Sequence, residues 1–228
     1  MLMRIVAGLA VGLAITSCAT AETPTSGIDA RGGDARVVDA RPSVDAPANA
    51  DAPPDASCVP GPRQLLVNPN FDLVPAGMGW TQMPADPATP IVAAPPTGLT
   101  APSGANVAWF GGAPSATDVL SQDIVVPASA TSFELVGKRL IGSEELVALD
   151  FDTLTITVQS TAGATLATLA TLSNADENLS VAFVPFAFAA PMPFAGQTVR
   201  LHFRAQTDAS FNTNFFFDDL GVNVTACP

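Results

Sequence analysis

His202 is the single histidine in a chain of 228 residues, and that count narrows the metal and nucleophilic chemistry open to it. A zinc site built on two or three imidazoles cannot form. A Ser-His-Asp relay would have to use His202, yet the sequence has no Gly-x-Ser-x-Gly elbow, and Arg200 and Arg204 flank the histidine and disfavour its imidazolium. Asp and Glu total 21, so a glycosidase-like carboxylate pair is not excluded by number, but none stands in a recognisable context. The row Arg200, His202 and Arg204 puts cationic groups side by side on one strand face of an acidic molecule. It could receive an anionic ligand or a partner's carboxylates, or be balanced by cross-strand Glu, Asp or Thr. Phe211 and Phe194 fall in loop-like segments, where a ring could stack on a sugar or lie as a lid over a core.

The three cysteines are Cys18, Cys58 and Cys227. Residues 1–17 carry one cation, Arg4, and an apolar run from Ile5 to Ile15, too short to span a bilayer and suited to a cleaved signal. The run ends Ile15-Thr16-Ser17-Cys18, which resembles the bacterial lipobox. That resemblance implies a lipidated Cys18 at the mature N-terminus, whose several acyl chains, at about 0.8 kcal/mol per buried methylene, hold a membrane stably. Ala19 rather than Asp follows it, which by analogy with Gram-negative lipoproteins favours the outer membrane or cell surface.

Residues 18–57 read as a disordered tether. From Ala19 to Ser57 there is no aromatic residue, no Leu and no Met, while Asp-Ala recurs at Asp29, Asp34, Asp39, Asp45, Asp51 and Asp55. Such a stretch buries too little apolar surface to offset ordering its backbone, and Pro24, Pro42, Pro47, Pro53 and Pro54 interrupt helix and strand alike. The formal net charge of -12, with no cluster among nine Lys and Arg, argues against a nucleic-acid partner.

Residues 58–228 supply one domain's worth of core, and their pattern is that of strands. Leu154, Ile156 and Val158 alternate with Thr153, Thr155, Thr157 and Gln159; Val199, Leu201 and Phe203 alternate with Arg200, His202 and Arg204. Period-two alternation predicts antiparallel strands with one buried face. Further strands are expected over 63–67, 107–110, 119–126, 132–140, 181–186 and 214–224. The segment 165–172 is ambiguous, because Leu166, Leu169 and Leu172 recur every three residues whereas its Thr content favours strand. An all-β antiparallel sandwich follows.

The segments Asn68-Pro69-Asn70-Phe71-Asp72 with Gly79-Trp80, Ala108-Trp109-Phe110-Gly111-Gly112, Leu120-Ser121-Gln122-Asp123, Gly196–Leu201 and Phe215-Phe216-Phe217-Asp218-Asp219-Leu220 resemble galactose-binding-like jelly rolls and the related MAM-like modules. The resemblance implies a jelly roll with Trp80 and Trp109 in the core. It also implies a structural calcium ion held by Asp72 and Asp218 with help from around Asn70, an oxygen set that calcium favours, and no other cofactor. With Cys18 acylated, Cys58 and Cys227 remain to pair in an oxidising compartment; the resemblance places them at neighbouring ends of the first and last strands. The expected function is a non-catalytic, lipid-anchored envelope protein presenting a binding or adhesion module for carbohydrate or protein. A structural or accessory envelope protein with no soluble ligand stands second, and a hydrolase of unknown type third.

Overall fold

A computed structural model describes residues 61–147, 149–178 and 180–227. The chain divides into two units, residues 1–50 and 51–228, and every described residue belongs to the second. The expected signal segment, Cys18, the tether and Cys58 lie outside the described residues.

Two antiparallel sheets form an all-β sandwich. In one, the order is β3 (Val92–Ala93), β4 (Val107–Gly111), β11 (Thr213–Ala226), β6 (Glu134–Ser143) and β9 (Val184–Ala189). There β1 (Gly61–Gln64) pairs with the second half of β11, Gly61 opposite Ala226. The other sheet runs β2 (Thr81–Met83), β5 (Thr117–Val125), β10 (Thr198–Gln206), β7 (Thr153–Ser160) and β8 (Thr165–Ser173). The segment 165–172 is thus a strand; its pairing with β7 shifts register twice, which breaks the simple alternation that made it ambiguous.

The alternation in β7 and β10 delivers what it promised. Leu154, Ile156, Val158, Val199, Leu201 and Phe203 are fully buried, facing Phe110, Leu135, Phe215 and Phe217 in one apolar layer. Phe203 is central to it, with ring centroids 5.5 Å from Phe217, 6.0 Å from Phe110 and 6.4 Å from Trp80. Strand β1 stops earlier than its apolar run suggests, because the Gln64 carboxamide takes over from backbone. Its oxygen accepts from Val222 N and Leu66 N, both at 2.9 Å, and its nitrogen donates to Leu220 O at 3.1 Å.

The long strand β11 changes face partway along. A register shift between Asp218 and Gly221, with Asp219 at φ 51°, puts Phe215 and Phe217 inward before it and Leu220, Val222 and Val224 inward after it. Phe216 and Asp218 therefore lie on the outer face of this sheet, and the loop between β3 and β4, residues 94–106, crosses that face.

Candidate functional site

The outer face of the first sheet is where the structure departs most from expectation. Trp109 is not in the core. It alternates with the inward Ala108 and Phe110, is only partly buried, and joins a second, smaller apolar cluster with Val107, Leu140, Phe216, Leu99 and Phe183. The register explains the grouping: Trp109 is directly opposite Phe216, and Phe216 is directly opposite Leu140, so three strands contribute one row. The two rings are 5.5 Å apart and tilted by 32°.

This row floors a groove of about 490 Å³. One wall is Pro96–Leu99 and the other is Glu177, Asn178, Ser180 and Val181, with Asn214 beside the tryptophan. Its polar groups are fixed. Asn214 Oδ1 accepts the indole Nε1–H at 2.9 Å, and Asn178 Oδ1 accepts Ile141 N–H at 2.9 Å while Asn178 N–H returns a bond to Ile141 O. Each carboxamide is thereby oriented by its oxygen, and its NH₂ has no partner among the described residues. Trp109 also borders a smaller hollow of about 200 Å³ with Asp86, Thr89, Ile91 and Asp118, so its ring stands as a partition between two concavities. Another hollow, of about 450 Å³, beside Pro191–Pro193 and the end of β11, is lined by no exposed ring.

Asp72 and Asp218, the residues expected to hold calcium, accept backbone N–H groups from residues 103–106 of the β3–β4 loop. Asp72 Oδ1 accepts the backbone N–H of Ala105 at 2.8 Å and of Asn106 at 3.2 Å, and its Oδ2 accepts from Asn70 Nδ2 at 3.0 Å. Asp218, fully buried, accepts Ser103 N–H at 2.9 Å through Oδ2 and Asp219 N–H at 2.7 Å through Oδ1. Two carboxylates thus clasp residues 103–106 of the loop whose earlier part walls the groove. Burial pushes the Asp218 carboxyl up to about 6, against the pull of the Ser103 and Asp219 N–H groups.

On the second sheet, Arg200 makes a two-pronged contact with Asp123 directly across the strand pair, at 2.6 and 3.0 Å. Arg204 contacts Gln206. Between them His202 is half-buried, and burial, then Arg200 and Arg204, hold its pKa below the usual imidazole value. That row is flanked by Thr155, Thr157 and Gln159 of β7, and among the described residues Arg200 is the one of its cations paired with a carboxylate across the strands. Phe211 is 46% exposed in the β10–β11 loop and lines none of these hollows, whereas Phe194 is a core residue packed edge-on against Phe133. Cys227 is disulfide-bonded.

The sequence reading missed Trp109 and Phe216 as site residues. One signal was present: in Phe215-Phe216-Phe217, strict alternation forces one of the three rings onto the outer face.

No protein-family model and no curated protein matches the sequence. Several solved structures are similar in fold. The TmCBM61 structure in complex with β-1,4-galactotriose shares 16% identity and a TM-score of 0.49 over 70% of this chain and 97% of that one. The K3 cleaved adhesin domain of Lys-gingipain from Porphyromonas gingivalis gives 16% and 0.46, covering 72% and 99%. The CBM22-1 xylan-binding domain from Paenibacillus barcinonensis Xyn10C gives 16% and 0.41, covering 72% and 96%. Identity at this level leaves the ligand to be argued from the geometry of this chain.

Proposed function

We propose that this chain is a non-catalytic carbohydrate-binding module, carried on a lipid anchor at Cys18 and an acidic tether at the bacterial cell envelope. The observation that carries the reading is the Trp109 groove. A sugar ring presents apolar C–H faces and a rim of hydroxyls, so a site for it needs an aromatic plane with oriented donors and acceptors around it. Trp109, beside Phe216 on the same sheet face, supplies the plane. The NH₂ groups of Asn178 and Asn214 are donors held in place by their own carboxamide oxygens, and Glu177 and Ser180 add an acceptor and a hydroxyl on the same wall. The groove's volume falls within the roughly 300–1,000 Å³ of small-ligand sites.

The test is a glycan array that includes β-1,4-galactan and xylan, followed by calorimetry on any glycan bound. Trp109→Ala should lower affinity at least about tenfold, the effect of losing one aromatic anchor, with near-unchanged circular dichroism. Array binding that survives Trp109→Ala and is lost in Phe211→Ala would move the site to the β10–β11 loop. A silent array would favour a structural envelope role.

A further inference from the structure

At one end of the sandwich, Glu145, Asp152 and Asp208 bring three carboxylate oxygens within 4.8 Å of one another. Glu145 lies two residues beyond β6, Asp152 immediately before β7 and Asp208 two residues beyond β10. The cluster therefore joins both sheets, and it is separate from the Trp109 groove and from Asp72 and Asp218.

What sets it apart from an ordinary acidic surface is the state of its oxygens. Asp152 has 0% exposure; its Oδ1 accepts Asp208 N–H at 2.7 Å, but its Oδ2 is buried with no hydrogen-bond partner among the described residues. Glu145 Oε1 is likewise buried and unpartnered, as is the side-chain oxygen of Asn212, in the same loop as Asp208. That loop reaches the cluster from the first sheet's side, since Glu144 N–H donates to Asn212 O at 2.9 Å. Among the described residues, neither ion pair involves these three acids: one joins Lys138 to Asp219, the other Arg200 to Asp123. Buried acceptors without donors are costly, and no rotation of a carboxylate provides a donor. A cation held between the three carboxylates would relieve the deficit at Asp152 and Glu145 together.

We infer that Glu145, Asp152 and Asp208 form a calcium site. All the donors are hard oxygens with three formal negative charges, which suits calcium and not a nitrogen- or sulfur-seeking metal. Ca–O distances of about 2.3–2.6 Å place any two ligands of one ion no more than about 5 Å apart, the spread seen here. Asn212 Oδ1, buried and without a partner among the described residues in the loop that carries Asp208, is the further side-chain oxygen on offer, and water fills the remaining positions. The ion's structural effect is to tie the β6–β7 and β10–β11 connections together across the two sheets.

The experiment is thermal unfolding of the full-length chain after EDTA treatment, with and without CaCl₂ or MgCl₂, paired with terbium luminescence. At about 100-fold saturation, calcium should raise Tm by about 5–10 °C. Glu145→Gln is the informative variant, because among the described residues the Glu145 side chain accepts no hydrogen bond that the change would remove. It should melt above the wild type in EDTA, where one of three repelling charges is gone, and below it in calcium. Asp208→Asn should also lose most of the calcium response, whereas Asp72→Asn should keep it. A Tm indifferent to calcium, a response to magnesium alone, or a full response in Glu145→Gln would each overturn the assignment.

Discussion

Asp218 offers a measurable link between burial and pH. Its carboxyl has a folded-state pKa of about 6 against 3.8 for the free group. Below 3.8 both folded and unfolded chains hold the proton. Between 3.8 and 6 the unfolded chain has released it and the folded chain has not, so the unfolded state gains and stability falls as pH rises. Above about 6 both are ionised and the loss is complete. A difference of about two pKa units, at 1.36 kcal/mol each, makes the full loss about 3 kcal/mol, most of it between pH 4 and pH 6.5.

Asp218→Asn isolates this effect. The carboxamide oxygen can accept from Ser103 N–H or from Asp219 N–H but not both, so the variant should be less stable than wild type at pH 4 by about 1–3 kcal/mol. The variant cannot ionise, so the gap should narrow by about 2–3 kcal/mol on going to pH 7. Urea unfolding of both proteins at several pH values measures it. A gap that stays constant within about 0.5 kcal/mol would show that the Asp218 carboxyl is not desolvated in the way its burial indicates. The same variant should weaken any ligand of the Trp109 groove, because Asp218 holds Ser103 of the loop that walls it.

Phe203→Ala should cost about 3–5 kcal/mol in urea unfolding, since a fully buried ring in contact with Trp80, Phe110 and Phe217 is removed; a loss below about 1 kcal/mol would mean the inner layer is loosely packed. The single imidazole, followed by NMR, should titrate below 6.5, as burial and two neighbouring arginines oppose its charge; stability then falls as pH drops through the unfolded-state value. Gly112→Ala should weaken the Trp109 groove, because Gly112 has φ +73° and a Cβ there would sit 3.1 Å from Trp109 Cζ2; a variant with unchanged tryptophan fluorescence and unchanged ligand affinity would count against it. Thiol titration of the full chain should find neither Cys58 nor Cys227 reactive without reductant, in keeping with β1 and β11 pairing Gly61 with Ala226; two reactive thiols would refute their pairing.

Strands β7 and β10 were legible because each has one face against the core and one toward solvent, so the polar and apolar residues separate two by two. Strands β2 and β3, of 3 and 2 residues, were not, since no periodicity can be read from so few positions. Strand β9 begins at Val184 rather than near Val181, and its ends are set by pairing with β6, a long-range property. The acids at 72 and 218 were singled out as calcium ligands; the loop between them in sequence supplies backbone N–H groups to both, and side-chain identity alone cannot show that.

The amino-acid sequence on its own determined the all-β class, the inward residues of the central strands and the acidic, core-poor character of the segment ahead of them, because each follows from local alternation or composition. Only tertiary structure decided which face of β4 and β11 meets solvent. It also decided that Trp109 and Phe216 floor a groove, and that Glu145, Asp152 and Asp208, separated by up to 63 positions, converge. Those outcomes depend on cross-strand register and on where connecting loops lie, and both are fixed by contacts between segments distant in the chain.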